Sequence, residues 1–244
     1  MIKPLRLFVV TLPLVLPLAP VQAQISKGLA SSYVGIARVR TVRAKGKNFS
    51  ARATYPGFRA RTPLVRFANA RIRSDVLGSY RQWLKATRTS LQADSKPIAP
   101  YEFELRPILH RYNPRVLISM NFNSYEYTGG AHGMSAFLAQ NYAVVNGKPK
   151  EITLGDLFRR GTAYRPLVEH KIFAKLKKNK EAAWVQDGSV KTLTTSQFNN
   201  FTVSRSGLTW IFNPYEMGPY AAGIFEVTLT PAELGAGFKR ELLR

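Results

Sequence analysis

Alternation of apolar and polar residues predicts strands near the start of the folded part of the chain. Residues 34–42 and 49–55 form two such strands joined by the polar turn 45–48, and the Tyr55-Pro56-Gly57 segment is expected to end the second. From about residue 68 to 91, apolar side chains recur at helical spacing. This spacing predicts a helix that packs one face on the strands.

The second half of the chain repeats the pattern with more strands than helices. Five strands and one long helix, at 163–180, are predicted beyond residue 100. The strands cover about 101–105, 116–122, 137–145, 208–212 and 224–229, and the third ends at the Asn146-Gly147 hairpin turn. The pattern therefore predicts an α+β fold, with antiparallel sheets and helices packed on one side.

The first two dozen residues have the features of an export signal. Lys3 and Arg6 precede an apolar stretch at 7–18, and Val21-Gln22-Ala23 forms a small-residue cleavage site. A membrane anchor is the alternative, but it needs about 20 apolar residues, whereas this run is shorter and contains prolines. We expect cleavage near Ala23, an exported protein that is periplasmic or secreted, and no membrane span.

Charge and composition restrict the classes of partner and chemistry. The 244 residues include 36 Lys+Arg and 14 Asp+Glu, for a formal charge of +22, and no Cys. The lack of Cys excludes disulfides, Cys-ligated zinc and thiol nucleophiles. Eleven basic residues and no acid lie between Arg38 and Arg73, so attraction to anionic wall polymers or lipids is expected. No nucleic-acid-reading motif is present, and specific nucleic-acid binding is not expected.

Three groups of motifs stand out, in a fixed order. They are Tyr55-Pro-Gly-Phe58 with Phe67-Ala-Asn-Ala-Arg-Ile72; Phe122-Asn-Ser-Tyr-Glu-Tyr-Thr-Gly-Gly-Ala-His-Gly133 with Asn141-Tyr142 and Ile152-Thr-Leu-Gly-Asp-Leu-Phe158; and Gly207 to Gly223, which contains Pro214-Tyr215-Glu216 and Gly218-Pro219-Tyr220-Ala221. Together they resemble the RsiV-like family. That family covers the extracytoplasmic half of RsiV-type anti-sigma factors and the non-catalytic region of PdaC-type peptidoglycan deacetylases.

The resemblance implies a three-part organisation and a binding role. The parts are a signal peptide at 1–23, a basic, PdaC-like α/β region at 24–100 and an RsiV-like C-terminal domain at 101–244. An envelope protein or a peptidoglycan-derived ligand is the implied partner. RsiV-type proteins recognise lysozyme, but lysozymes are strongly basic, so the positive charge of this chain disfavours that partner.

The candidate ligand-binding residues lie in two segments. Tyr125 and Tyr127 have the same parity on one strand, so both rings are expected on one face. Prolines are rare in central strands, so the segment between the last two strands is predicted to be an irregular aromatic loop. The complete candidate set is Tyr125, Tyr127, Gly129, Gly130, His132, Pro214, Tyr215, Pro219 and Tyr220. Structural turns and core packing remain alternatives for every member.

Candidate catalytic chemistry is sparse. No G-x-S-x-G motif occurs, and the only histidines, His110, His132 and His170, are far apart in sequence. Glu102 and Glu104 share one strand face but are interpreted as surface counter-charges. The sequence thus favours a non-enzymatic envelope binding or sensor module without metal or cofactor. The alternative is a basic envelope protein that binds anionic wall polymers or lipids without a specific pocket.

Overall fold

The computed structural model describes residues 35–93 and 97–243. Within these residues, six strands form one sheet in sequence order. They are β1 (Ala37–Gly46), β2 (Phe49–Phe58), β3 (Tyr101–Asn113), β4 (Leu117–Tyr127), β5 (Met134–Val145) and β6 (Lys148–Glu151). The predicted signal peptide lies outside the described residues.

A long helix, α1 (Pro63–Ala93), connects β2 to β3. Because the chain crosses over through this helix, β2 and β3 pair in parallel, whereas every other neighbouring pair in the sheets of the described residues is antiparallel. The inner face of α1 buries Ile72, Val76 and Trp83 against the sheet. The even-numbered residues Met120 and Phe122 of β4 face the same core.

The C-terminal part adds three short helices and a second sheet. These elements are α2 (Tyr164–Leu176), α3 (Ala183–Gln186), α4 (Thr195–Asn199), β7 (Phe201–Ser204), β8 (Gly207–Phe212) and β9 (Phe225–Leu229). The last three strands pair in the order β7-β8-β9. Their core, which contains Trp210 and Phe212, also includes Leu117 and Ala143 of the first sheet.

The second sheet therefore covers part of the first sheet's face opposite α1. Two buried hydrogen bonds fix this contact: Val203 N donates to Ser119 Oγ at 2.7 Å, and Asn141 Nδ2 donates to the carbonyl of Phe201 at 2.6 Å. The rest of that face, at the starts of β2 and β3 and the end of β4, is not covered by the second sheet and borders a groove. The face of the first sheet opposite α1 is therefore only partly covered.

The predicted α+β class is confirmed, and several local predictions were wrong. Strand β2 continues through Pro56 to Phe58. Beyond Ala53 it pairs with β1 only, so its other edge has no neighbouring strand and a proline, which lacks a backbone N–H, is accommodated there. Helix α2 ends at Leu176 rather than near residue 180. The segment after Thr230 forms a turn in which Thr230 and Glu233 exchange reciprocal capping hydrogen bonds.

Candidate functional site

The two tyrosines of β4 lie on the open face of the first sheet. Tyr125 pairs in register with Glu104, and Tyr127 pairs with Glu102. Since the inward-facing positions of this strand are even-numbered, the odd-numbered tyrosines lie on the side opposite α1. Both rings are half-buried, so part of each remains accessible to a ligand.

A glycine turn follows β4 and folds back on these tyrosines. Gly129 and Gly130 have φ of +97° and +96°, a region that favours glycine. The hydroxyl of Tyr127 donates a hydrogen bond to the carbonyl of Gly130 at 3.2 Å. The ring of Tyr125 lies so close to Gly133 that a Cβ at this position would overlap it.

His132, at the end of this turn, joins the turn to the loop after β8. Its ring stacks on Tyr220 with centroids 4.0 Å apart and an interplanar angle of 17°. The hydroxyl of Tyr220 donates to the carbonyl of Gly133 at 2.8 Å. The two segments singled out by sequence therefore meet at one place on the surface.

The loop itself presents a further aromatic pair. The ring of Tyr215 is tilted at 5.6 Å from Tyr220 and stacked at 6.5 Å from Trp184. Tyr215 is 48% exposed and has φ of +67°. A positive φ in a non-glycine residue is strained, and such strain concentrates at functional positions.

Polar anchors hold this loop against the first sheet. Asn213 Oδ1 accepts a 2.6 Å hydrogen bond from the backbone N–H of Phe137. The carboxylate of Glu216 accepts one from the backbone N–H of Asn213 at 2.7 Å. Burial raises the pKa of Glu216, partly offset by its hydrogen bonds with Asn213 and Gln197. The aromatic residues are thus carried by a fixed loop.

A charged groove of about 310 Å³ adjoins the tyrosines on the open face. It is lined by side chains of both signs, including Arg43, Lys45, Arg52, Glu102 and Glu104, together with Tyr125. The register places Arg52 beside Glu104 and Ser50 beside Glu102. Burial, followed by the nearby Glu102, raises the pKa of Tyr125.

The groove and the aromatic residues together provide two kinds of contact. Carboxylates and guanidinium groups form hydrogen bonds with polar substituents, and aromatic rings pack on apolar ring faces. Molecules that combine hydroxyls with apolar C–H faces, such as sugars, match this arrangement. We call the set Tyr125, Tyr127, His132, Tyr215, Tyr220, Trp184, Glu102, Glu104, Arg43 and Arg52 the open-face site.

The structure does not bring every predicted residue into this site. Gly129 lies against Tyr101 on the side that faces α1. Pro219 is exposed and precedes the short 3₁₀ turn Tyr220–Ala222, and Pro214 is half-buried. Both prolines therefore shape the loop rather than add a ring to the cluster.

Sequence reasoning missed Trp184 and gave the carboxylates no functional role. Trp184 belongs to the four-residue helix α3, whose sequence carries no strong periodic signal. Glu102 and Glu104 were interpreted as surface counter-charges, and Arg106 does pair with Glu104 at 2.6 Å. In the β3–β4 register, Glu102 lies beside Tyr127 and Glu104 lies beside Tyr125. A prediction of strand pairing would have been needed to show this proximity.

The histidines occupy three different places. His110 Nε2 lies 2.6 Å from Asn121 Oδ1, and His170 lines a cleft beside α2. In the part of the chain that the structure describes, no group of three or more His, Asp or Glu side chains is arranged to hold a metal ion. Within the same residues, no helix is both long and apolar enough to cross a bilayer.

Two protein-family models match separate parts of the chain. The family described as "Deacetylase PdaC" matches residues 43–135, and "Protein of unknown function (DUF3298)" matches residues 155–231. The first match contains Tyr125 and His132, and the second contains Tyr215 and Tyr220. The open-face site thus combines residues from both matched segments.

A curated relative extends over most of the chain. The peptidoglycan-N-acetylmuramic acid deacetylase PdaC of Bacillus subtilis (strain 168) is 26% identical over 225 residues. The alignment covers 90% of this chain but 43% of the relative, so the chain spans less than half of that enzyme's length. The PdaC part of the predicted resemblance is confirmed, and the RsiV part stays a prediction.

Solved structures share the fold. A DUF3298 family protein from Pseudomonas aeruginosa PAO1 superposes with a TM-score of 0.60 at 19% identity, covering 85% of this chain and 94% of that one. A DUF3298 family member from Bacteroides fragilis NCTC 9343 gives 0.54 at 18% identity, with coverages of 83% and 93%. At these identities the likeness establishes the α+β architecture.

These matches correct one prediction from the sequence. The chain was expected not to be an enzyme, because no catalytic constellation could be identified. The match of residues 43–135 to a deacetylase family and the similarity to a peptidoglycan deacetylase contradict that expectation. The three histidines and the scattered acids show no spacing typical of a catalytic motif, which is why the sequence pattern did not indicate an enzyme. The chain therefore contains a PdaC-like segment at residues 43–135 and a DUF3298-like segment at residues 155–231.

Proposed function

We propose that this chain acts at the cell envelope and binds peptidoglycan glycan strands at the open-face site. The observation that carries the proposal is the stacking of His132 on Tyr220, which joins the charged groove and the aromatic loop into one surface. The similarity to a deacetylase of peptidoglycan N-acetylmuramic acid supports the choice of ligand. Export through the segment 1–23 is part of the same proposal.

In this proposal each part of the site has a separate task. Tyr215, exposed and supported by Trp184, packs on the apolar face of a sugar ring. Glu102, Glu104 and Arg52 form hydrogen bonds with hydroxyl, acetamido or carboxyl groups of neighbouring units. A glycan strand lying across the groove therefore contacts both matched segments of the chain.

Co-sedimentation with purified peptidoglycan tests the proposal. Residues 24–244 are incubated with sacculi at about 50 and 500 mM salt, since the Debye length falls from roughly 10 Å at 0.1 M to about 3 Å at 1 M. Binding that survives high salt and is lost on Tyr215→Ala is the expected result. Leu138→Ala serves as the control, because Leu138 is 53% exposed and pairs with Phe122 on the α1-facing side of the sheet.

A second measurement addresses catalysis. The same sacculi are assayed for released acetate, because the curated relative is a deacetylase. Acetate release that falls in Glu102→Gln and Glu104→Gln but not in Leu138→Ala assigns a reaction to the groove. Binding without acetate release would indicate that residues 24–244 recognise peptidoglycan but do not deacetylate it.

The exposed basic residues of β1, an edge strand of the first sheet, favour an alternative function in which the chain binds polyanions through charge. The exposed basic residues of β1 are Arg38, Arg40, Arg43 and Lys45. A polyanion such as an anionic wall polymer can bind along this edge without contacting the tyrosines. Capture that disappears at high salt and is unaffected by Tyr215→Ala supports this alternative and contradicts the proposed glycan site.

A further inference from the structure

Strand β1 forms one edge of the first sheet, and its outer side is free in the described part of the chain. It pairs with β2 alone, in an unbroken antiparallel register from Ala37 to Gly46. Within the described residues, no other backbone hydrogen bond involves this strand. Since the bonds of an antiparallel pair alternate, the remaining N–H and C=O groups of β1 point outward, where a further strand could pair with them.

This edge lacks most of the features that prevent another strand from pairing. It is ten residues long, contains no proline and has no bulge. Charge is the exception, because four exposed basic residues lie along it: Arg38, Arg40, Arg43 and Lys45. The edge is therefore open to a strand that complements positive charge.

The four basic residues are spaced symmetrically, two, three and two positions apart. Arg43 and Lys45 line the groove on the open face of the sheet. Arg38 and Arg40 have the opposite parity, so they lie on the side of α1. None of the four forms an ion pair within the described residues. Each face of the edge thus carries two unpaired cations, two residues apart.

The neighbouring strands leave one of these cations beside another. In the register of the sheet, Arg43 lies opposite Arg52 of β2, and Arg52 lies beside Glu104 of β3. Like charges directly opposite each other destabilise a strand pair. Glu104 is also bonded to Arg106, at 2.6 Å. A carboxylate on the outer side of Arg43 would offset the repulsion that remains.

The same spacing disfavours pairing with a second copy of the chain. In an antiparallel β1–β1 pair centred on the strand, Arg38 meets Lys45 and Arg40 meets Arg43, which makes four like-charge pairs. A parallel pair in register places each cation beside its own copy. An acidic strand has the opposite effect in every one of these positions.

We propose that β1 binds an extended acidic segment of a partner protein, which adds to the first sheet as a further strand. Backbone hydrogen bonds along the edge provide affinity, and the four cations select carboxylates at matching positions. The matching pattern is Glu-x-Glu-x-x-Glu-x-Glu, and its symmetry fits either chain direction. This role goes beyond the proposed peptidoglycan binding and uses none of the aromatic residues of the open-face site.

A synthetic octapeptide tests the proposal. Glu-Thr-Glu-Val-Val-Glu-Thr-Glu is titrated into ¹⁵N-labelled residues 24–244 at about 50 mM salt, where charges are weakly screened. Saturable shifts that are largest for the backbone amides of residues 37–46 are expected. The permuted peptide Glu-Glu-Thr-Val-Val-Thr-Glu-Glu keeps the charge but loses two of the four matching positions. It is expected to bind about threefold more weakly or worse, and equal affinity of the two peptides overturns the proposed register.

N-methylation separates strand addition from attraction by charge alone. Methyl groups on the Thr and Val amides remove two donors from each edge of the peptide and leave its carboxylates unchanged. Binding about tenfold weaker or worse is expected, because backbone hydrogen bonds are lost. Equal affinity of the methylated peptide overturns the proposal and supports charge-driven capture of polyanions.

A pair of double variants tests the side chains of the edge. Arg38→Gln with Arg40→Gln is expected to weaken binding about fivefold or more, since two cross-strand ion pairs are lost. Lys177→Gln with Lys178→Gln is the matched control, because it removes the same charge from exposed residues just beyond α2. Equal weakening in the two variants would show that only net charge matters, and it overturns the proposal.

Two further results would also contradict strand addition. One is the absence of a saturable shift up to about 5 mM peptide, several times a Kd of about 1 mM. The other is slow hydrogen exchange at every amide of residues 37–46 in the free protein, because an edge already covered by another segment or a second copy protects them all. Alternating fast and slow exchange is expected. These measurements use neither sacculi nor variants of the open-face site, so this proposal and the proposed function can fail independently.

Discussion

The ring of His132 stacks on the ring of Tyr220, with centroids 4.0 Å apart. His132 belongs to the turn after β4, and Tyr220 belongs to the loop after β8, so one contact connects the two sheets at the edge of the charged groove. The hydrogen bond from Tyr220 to the carbonyl of Gly133 reinforces it. Because both residues belong to the open-face site, substitutions that weaken this contact are expected to affect stability as well as the proposed ligand binding.

Graded substitution of Tyr220 separates its two contacts. Tyr220→Phe removes the hydrogen bond to Gly133 and is expected to lower the free energy of unfolding by about 1 kcal/mol. Tyr220→Ala also removes the ring stack, and a further loss of roughly 0.5–1.5 kcal/mol is expected. Urea denaturation measures both values. Equal stability of Tyr220→Phe and Tyr220→Ala would show that the ring stack contributes nothing.

A side chain at Gly133 is expected to destabilise the protein while Tyr125 is present. A Cβ at Gly133 overlaps the Tyr125 ring, so Gly133→Ala is expected to cost about 1–3 kcal/mol of unfolding free energy. In the double variant with Tyr125→Ala the overlap disappears. A coupling energy of roughly 0.5–3 kcal/mol is therefore expected from the double-mutant cycle, and strict additivity of the two single substitutions would refute the contact.

Gly78 provides the opposite case. It lies on the exposed side of α1, and an added Cβ there meets no atom within 4 Å. Glycine in a helix interior costs about 0.5–1 kcal/mol relative to alanine. Gly78→Ala is expected to raise the free energy of unfolding by this amount without affecting the open-face site. A decrease in the free energy of unfolding, measured by chemical denaturation, would indicate that α1 is packed differently.

Sequence patterns predicted the elements better than their meeting points. Parity on β4 correctly placed Tyr125 and Tyr127 on one face, because the strand has no bulge between Met120 and Tyr127. The helical spacing over residues 68–91 likewise predicted a packed face, and that face contains the buried Ile72 and Val76. Local alternation is set by backbone geometry, and for that reason it can be read from a single chain.

The remaining features depend on contacts between distant residues. Strand β7 (Phe201–Ser204) was missed because it is only four residues long and alternates weakly; its burial comes from the first sheet through Ser119 and Asn141. The His132–Tyr220 stack and the position of Trp184 depend on how the two sheets pack. No periodicity in the sequence encodes that packing.

Glu233 gives the protein a specific response to acid. The Lys175 ammonium, at 2.8 Å, and the backbone N–H of Thr230 lower the pKa of Glu233 to about 2. A depressed carboxylate pKa contributes stability above the unfolded value of about 4.3, and this contribution is lost as the pH falls toward 2. Because the pair is partly solvent-exposed, about 1 kcal/mol is expected rather than the full shift.

Glu233→Gln tests this assignment. The variant is expected to be less stable than the parent at pH 7. The difference between their free energies of unfolding is expected to shrink as the pH falls from about 4.3 to 2. Glu226→Gln serves as the control, since Glu226 is exposed on β9 and forms no ion pair within the described residues. Parallel stability curves for the parent and Glu233→Gln across this range would contradict the pairing with Lys175.

Substitution of Tyr215 is expected to separate binding from stability. Its φ of +67° costs an L-residue roughly 1–2 kcal/mol, whereas glycine adopts this conformation freely. Glycine also gains unfolded-state entropy, which offsets about 0.5–1 kcal/mol of the relief. Tyr215→Gly is therefore expected to be more stable than Tyr215→Ala by up to about 1 kcal/mol.

Both variants lose the exposed ring, and both are expected to lose peptidoglycan co-sedimentation at high salt. Retained binding in Tyr215→Gly would exclude the ring as a ligand contact, and a Tyr215→Ala variant as stable as Tyr215→Gly would show that the backbone is not strained.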